Sequence, residues 1–484
     1  MGRKTIYADL IHQANFINGK WEKKAESGYL EILEKFDQFT IAEIPWASDS
    51  QIEDAVQGAI KARKELKSWS AERRSGLLNK LAEMVLSQKE AFAQLIVHEA
   101  GKPLSYARTE IDRACTTLKA SAREALNLSG EAINIDLDAG KGKKAWVKPF
   151  PIHPVVCITP FNFPLNLLLH KIAPALAVGT TAVVKPSVQS PLSALALAKM
   201  IDEVGFPKGS VSVLMAKNEL AESLVRHPEM GMLSFTGSDK VGWKLKSLSG
   251  KKKVCLELGG NAAALVDETN SNLEEIASEL AYAGNLYAGQ ICISTQRIYV
   301  VESVFEVFKN HLIQALKGVK SGNPLDSDVV NGPLISRIHL NRIQEWVDEA
   351  KSQGAEVLFG GGVLDAEHNV FQPTLITHTR RGMKVVDEEV FGPVLILEPV
   401  DNFEAGLAAI NDSRYGLQAG VFTEIQERVN QAHEELEVGG VIMNGSPGFR
   451  VDTMPYGGVK DSGLGREGVK YAMEEMTEPR LLVY

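Results

Sequence analysis

Residues 155–214 read VVCITPFNFPLNLLLHKIAPALAVGTTAVVKPSVQSPLSALALAKMIDEVGFPKGSVSVL. Three short apolar runs, Val155 to Thr159, Thr181 to Lys185 and Val211 to Leu214, alternate with longer segments of helical length that begin after Pro164 and Pro191. Strands alternating with helices imply a parallel, Rossmann-like sheet and an α/β protein. Doubly wound sheets bind ligands beyond the carboxyl ends of their strands. Two loops therefore stand out: Pro160-Phe161-Asn162-Phe163-Pro164, which holds an amide in a proline-bracketed turn, and Lys185-Pro186-Ser187.

Further along, Phe235-Thr236-Gly237-Ser238-Asp239-Lys240-Val241-Gly242 leads from a short strand into a helix. Its glycines are five apart, looser than a strict GxGxxG, so it reads as a phosphate site on a helix N-terminus or as a plain glycine turn. Next, Val254-Cys255-Leu256-Glu257-Leu258-Gly259-Gly260-Asn261 is an apolar strand broken by one carboxylate, either a solvated strand end or a functional acid. Past Gly260 a second α/β unit begins, with a helical run from Asn272 to Ala288, a strand from Gln296 to Val301 and a helix from Val304 to Leu316. At the junction in that unit lies Gly289-Gln290-Ile291-Cys292-Ile293-Ser294, where a side chain can face a cleft. Cys292 is the candidate nucleophile there, against the commoner alternative of a small buried hydrophobe.

The remaining chain frames these motifs. With 484 residues, two or three domains are expected. A net charge of −9 gives no electrostatic reason to bind nucleic acid or anionic membranes, so an anionic substrate needs a local basic pocket. No apolar run approaches membrane-spanning length, and Met1-Gly2-Arg3-Lys4 leads into a polar stretch, so the reading is cytoplasmic. Cys115, Cys157, Cys255 and Cys292 are too scattered for a disulfide framework or zinc site. Residues 13–45 read as irregular β structure with a tight turn at Asn18-Gly19. Ser50 with Glu53 makes a capping-box pattern for a first helix, and helices of about Ala71 to Glu99 and Tyr106 to Leu126 follow, all three read as scaffold. Ile133, Ile135 and Leu137 alternate as a strand would; Asp138 to Lys144 resembles a linker, and Ala145 to Phe150 is a second strand. The C-terminal run from Thr477 to Tyr484 is a strand whose exposed edge needs a partner.

Taken together, the Cys292, Glu257 and Asn162 motifs resemble the aldehyde dehydrogenase superfamily, whose thiol, base and oxyanion donor lie in motifs like GQxC, ELGG and P-F/W-N-F-P. The resemblance covers nearly the whole chain and extends to Glu388-Glu389-Val390-Phe391-Gly392-Pro393 and Pro455-Tyr456-Gly457-Gly458. It implies a Rossmann-like cofactor domain (1–130 and 150–258), a second α/β catalytic domain (259–460) and a small β oligomerisation arm (131–149 and 474–484) that builds a homodimer or homotetramer. It assigns Thr159, Pro160, Phe161, Lys185, Ser187 and Val188, with Gly237, Ser238, Val241, Leu258, Gly259, Glu389 and Phe391, to NAD or NADP. Relatives preferring NAD often carry glutamate where Val188 stands, so the choice of cofactor stays open.

In the chemistry so implied, the Cys292 thiolate attacks an aldehyde, and the Asn162 amide and the Cys292 N–H hold the oxyanion. Hydride leaves for the nicotinamide, and Glu257 activates the water that hydrolyses the thioester. No metal is needed. Lys171 and Glu467 match positions proposed to connect the base to solvent, with a plain ion pair as the alternative. Phe163, Asn166, His170, Ile291, Ile293, Arg450 and Tyr456 fall on the implied aldehyde tunnel. Arg450 is either an anchor for a distal carboxylate, phosphate or sulfonate, or a residue that pairs with Asp452 or lies in solvent. The implied substrate is a small aldehyde; a CoA-acylating enzyme, or a non-catalytic protein keeping the fold, are the alternatives. The intact Glu257 argues against the former, and the intact triad against the latter.

Overall fold

The computed structural model describes residues 6–484; the Met1–Lys4 start lies outside the described residues. The apolar runs at Val155–Ile158, Ala182–Lys185, Val211–Val213, Met232–Thr236 and Lys253–Glu257 form the parallel centre of an eight-stranded sheet. Across that centre the order is Val211, Ala182, Val155, Met232, Lys253. The order of strand addition reverses between the parallel neighbours Val155–Ile158 and Met232–Thr236, the crevice where a doubly wound sheet takes its ligand. A hairpin, Asn15–Ile17 with Lys20–Glu22, extends one edge; its turn places Asn18 and Gly19 at φ 53° and 75°, the left-handed pair that a two-residue hairpin loop requires. The other edge is closed by Gly463–Leu464.

The second unit is a seven-stranded sheet centred on Ala263–Val266, Arg297–Val301 and Val394–Val400, parallel except at the edge strand Glu356–Phe359. A third sheet joins Thr477–Val483, Ala145–Pro151 and Glu131–Ile133. Its outer strand leaves Leu481, Leu482 and Val483 exposed.

Several sequence expectations shift. The first helix, Asp49–Leu66, is capped by Ser48 and not Ser50: the Ser48 Oγ accepts from the Gln51 N–H, and the Gln51 side chain returns a bond to the Ser48 N–H. The run read as one helix from Ala71 to Glu99 divides into Ala71–Ser87 and Lys89–Ala100, because Gln88 leaves helical geometry at φ −106°, ψ 18°. Strand pairing stops at Ile133, so Ile135 and Leu137 are not part of that strand. The early helices are also more than scaffold. Glu99, Lys102 and Glu110 are buried, and Glu110 and Arg113 bond to residues around the turn at 160–170 and the loop at 449–456.

Candidate active site

A cavity of about 580 Å³ opens at the switch point, and Asn162, Glu257 and Cys292 all line it. Each reaches it from the end of a regular element: Asn162 from the turn after Val155–Ile158, Glu257 as the last residue of its strand, and Cys292 from the loop after helix Leu273–Asn285. That loop is sharply bent, with Tyr287 and Ala288 both left-handed at φ 55° and 53°. The Gln290 side chain ties it down, donating to the Tyr287 and Pro333 carbonyls and accepting from the Ile335 N–H.

Asn162 donates from Nδ2 to the Gln290 carbonyl at 2.8 Å, so the amide is fixed two residues before the thiol. The Cys292 Sγ lies 3.0 Å from the Tyr456 hydroxyl. Burial pushes the thiol up to about 11, against the Tyr456 bond and the nearby Arg450 charge, which both lower it. Forming the thiolate that attacks therefore takes a base to remove the thiol proton. Glu257 is buried with neither carboxylate oxygen hydrogen-bonded. Burial, and then the Glu467 charge, hold its pKa well above the usual carboxylate range. A carboxylate in that condition is a stronger base than one in water. Gly457 leaves it room, since a Cβ there would sit 2.8 Å from the Glu257 Oε1.

Behind the cavity, Lys171 donates to Glu467 at 2.7 Å and to Ser234 at 3.1 Å, all of them buried. Glu467 also faces Arg450, 3.4 Å from Nη2. Burial would raise Glu467, but Lys171, then His170 and Arg450, bring it down to about 2. Arg450 lies 3.6 Å over the Tyr456 ring, and its Nε has no hydrogen-bond partner. It does not take Asp452 as hydrogen-bond partner. Asp452 is held by Arg113 at 2.9 and 3.1 Å, His170 Nε2 at 2.8 Å and Asn166 Nδ2 at 2.9 Å.

The substrate residues read from sequence therefore separate. Tyr456 reaches the thiol, Ile291 and Ile293 pack with Tyr456 beside it, and Arg450 stacks on the Tyr456 ring. Asn166 is spent on Thr117 and Asp452, and the His170 Nε2 on Asp452, so the face they share anchors a loop; no hydrogen bond of the Asn166 side chain goes to the cavity. Phe163 points into a cage, with the Lys102 Nζ 3.5 Å from its ring centroid.

The cavity is also lined by Lys185, Ser187 and Val188 and by Glu389 and Phe391. Thr159, Pro160, Phe161, Gly237, Ser238, Val241, Leu258 and Gly259 line it as well. Ser238 precedes helix Asp239–Leu248 and makes no side-chain cap bond, while Asp239 in the first turn accepts from the Lys240 N–H at 2.7 Å. A Cβ at Gly242 would meet Leu258 at 2.3 Å, so only glycine lets this helix pack so closely on the strand end. Glu389 accepts from the Gly260 N–H at 3.0 Å, and a Cβ at Gly259 would lie 2.4 Å from its Oε2. Burial lifts Glu389 to about 7. His339 and Arg342 also line the cavity and were missed from sequence, since nothing in their helix distinguishes them from surface residues.

The profile of the aldehyde dehydrogenase family matches residues 21–482. The chain belongs to the aldehyde dehydrogenase family. It is an NAD(P)-dependent dehydrogenase of aldehydes, as the three motifs imply. Among relatives, a 3-sulfolactaldehyde dehydrogenase of Priestia aryabhattai is 41% identical over 470 residues, covering 97% of each chain. A lactaldehyde dehydrogenase of Methanococcus maripaludis is 37% identical over 476 residues, covering 97% of this chain and 99% of its own. Among solved structures, aldehyde dehydrogenase 21 from Physcomitrella patens, in complex with the reaction product succinate, superposes with a TM-score of 0.94 at 38% identity, covering 97% of this chain and 98% of its own.

Proposed function

We propose that this family member oxidises a small aldehyde carrying a distal anion to its carboxylic acid by the hydrolytic route. The observation that carries the reading is Arg450: a buried guanidinium close enough to lower the Cys292 thiol, stacked on Tyr456, with its Nε unpartnered. Glu467 only partly neutralises it, being 3.4 Å from Arg450 but 2.7 Å from Lys171. A carboxylate, sulfonate or phosphate on the substrate satisfies the remaining donors with charge-assisted bonds. The relatives named for sulfolactaldehyde and for a succinate product support an anion; the lactaldehyde relative supports the small size.

The residues fit a nicotinamide dinucleotide. Gly237 and Ser238 would hold its diphosphate, Lys185 and Val188 its adenosine ribose, and Glu389 and Phe391 its nicotinamide half. When bound, it supplies the hydride acceptor. Every other step belongs to the protein. Cys292 attacks the carbonyl carbon as its proton passes to Glu257, a carboxyl that lines the cavity with neither oxygen hydrogen-bonded. The second hydrogen of the Asn162 amide and the Cys292 N–H receive the oxyanion, positioned before charge develops. Once the thiohemiacetal has become a thioester, Glu257 takes a proton from water, which attacks the acyl carbon and frees the thiol. The three-stranded arm, with its exposed Leu481 and Leu482 edge, serves assembly into a dimer or tetramer.

The test is kcat/KM for a matched anionic and neutral aldehyde in wild type and Arg450→Ala. Arg450→Ala should erase about 2–5 kcal/mol of the preference for the anion, the cost of truncating one partner of a buried charge pair. An unchanged anionic-to-neutral ratio would assign Arg450 to structure alone.

A further inference from the structure

We infer that the buried pair Lys102–Glu110 is a positioning device that holds both halves of the oxyanion hole in register, an inference that rests on the reading of Asn162 and Cys292 given above. Neither residue lines the cavity, and both are fully desolvated. Glu110 acts on the Asn162 side. Its Oε1 accepts from the backbone N–H groups of Leu165 at 3.0 Å and Asn166 at 3.1 Å, the entry to helix Asn166–Val178. Those amides have no intrahelical acceptor, and no local side chain caps this helix. A carboxylate from a different helix, 55 positions earlier, therefore fixes the turn that carries Asn162.

Lys102 bonds the other oxygen of Glu110 and reaches the Cys292 side. Its Nζ lies 3.5 Å from the Phe163 ring centroid, next to Asn162, and 5.1 Å from the ring of Tyr287. Tyr287 begins the strained loop that ends in Gln290 and Cys292, and its hydroxyl donates at 2.6 Å to the carbonyl of Ala100, two residues before Lys102. The two sides then meet again at the Asn162–Gln290 bond. The circuit is closed: Asn162, its helix entry, Glu110, Lys102, Tyr287, Gln290, Asn162. A left-handed Tyr-Ala pair persists only where its surroundings over-determine it, and this circuit does so. An ion pair this deeply buried contributes little to stability compared with well-packed apolar side chains, so fixing geometry is the role that accounts for it here.

The test is a double-mutant cycle read on the rate of the first NAD(P)H burst, with Glu110→Gln, Lys102→Met and Asn162→Ala made singly and with each of the first two combined with the third. Glu110→Gln and Lys102→Met should each slow the burst by about tenfold or more with aldehyde KM changed by less than about threefold. In the Asn162→Ala background the same substitutions should cost no more than about twofold, because the group they position is gone. Iodoacetamide should label Cys292 and leave the buried Cys115, Cys157 and Cys255 unlabelled in each variant as in wild type, which shows the fold is kept. Equal losses in both backgrounds would overturn the positioning role, as would an unchanged burst in the single variants. An unchanged burst in Asn162→Ala itself would instead overturn the oxyanion reading. If Glu110→Gln does not fold, the Lys102→Met arm decides alone.

Discussion

The Tyr456 hydroxyl and the Cys292 sulfur lie 3.0 Å apart in a pocket that otherwise keeps the thiol protonated. Burial drives the thiol up to about 11, and the phenol and the Arg450 guanidinium are what oppose it. Tyr456→Phe removes a donor to the thiolate without changing the ring. A hydrogen bond to a charged group is worth about 1.5–3 kcal/mol, so the midpoint of Cys292 alkylation should move up by about one to two pH units. Below that midpoint, iodoacetamide should react more slowly than with wild type. An unmoved profile would mean that the hydroxyl accepts from the thiol and does not stabilise the anion.

Glu257 is a buried acid with neither oxygen hydrogen-bonded, and a side chain at Gly457 would crowd it. Glu257→Gln should leave a burst of reduced cofactor near one equivalent and slow the steady rate far more than the burst. Rapid mixing checks this; equal loss in both phases would remove Glu257 from thioester hydrolysis.

Much of this was legible because the decisive signals are local. The αβ alternation from Val155 to Leu214 and the three chemical motifs each sit within a few residues, and all three motif side chains line one cavity. What sequence could not show was pairing between distant positions. Asp452 is 282 residues from His170 and 339 from Arg113, so a competition for Asp452 that leaves Arg450 to Glu467 has no local trace. Glu110 lies on a helix face and Lys102 in the short loop before that helix, where one polar residue looks like a surface residue until its cover is known. The misplaced cap has a similar cause: Ser48 with Gln51 and Ser50 with Glu53 are equivalent patterns, and only the extended backbone of Ser48 selects between them.

The Lys171–Glu467 pair has a pH signature. Glu467 is held at about 2 from an ordinary 4.5, so the folded state binds its proton less readily than the unfolded chain does. Its contribution is complete above pH 4.5 and is lost as pH falls toward 2. Glu467→Gln leaves Lys171 buried without a counter-charge, at a cost of about 3–5 kcal/mol near neutrality. Urea midpoints between pH 8 and pH 3.5 should show the gap between wild type and variant narrowing only below about 4.5. A gap that is constant down to pH 3.5 would mean that the contribution of Glu467 does not depend on its charge.

The part of the cavity lined by Lys185 and Val188 bears on cofactor choice. Lys185 and Val188 line it together, with no carboxylate at 188 to hold ribose hydroxyls or repel a 2′-phosphate. The nearby Glu222 is already committed to Lys244 at 2.5 Å. A 2′-phosphate placed here meets the Lys185 ammonium, a charge-assisted contact of about 1.5–3 kcal/mol, or roughly ten- to hundredfold in affinity. NADP should therefore be accepted with kcat/KM within a hundredfold of that for NAD or above it. Lys185→Ala should weaken NADP more than NAD, and Val188→Glu should reverse the preference toward NAD by like-charge repulsion. Fluorescence titration of the two reduced cofactors against the three proteins reads binding directly, without turnover. If Val188→Glu leaves the ratio of the two dissociation constants unchanged, the 2′-phosphate is not recognised in this part of the cavity, and the absence of a carboxylate at 188 has no bearing on which cofactor is used.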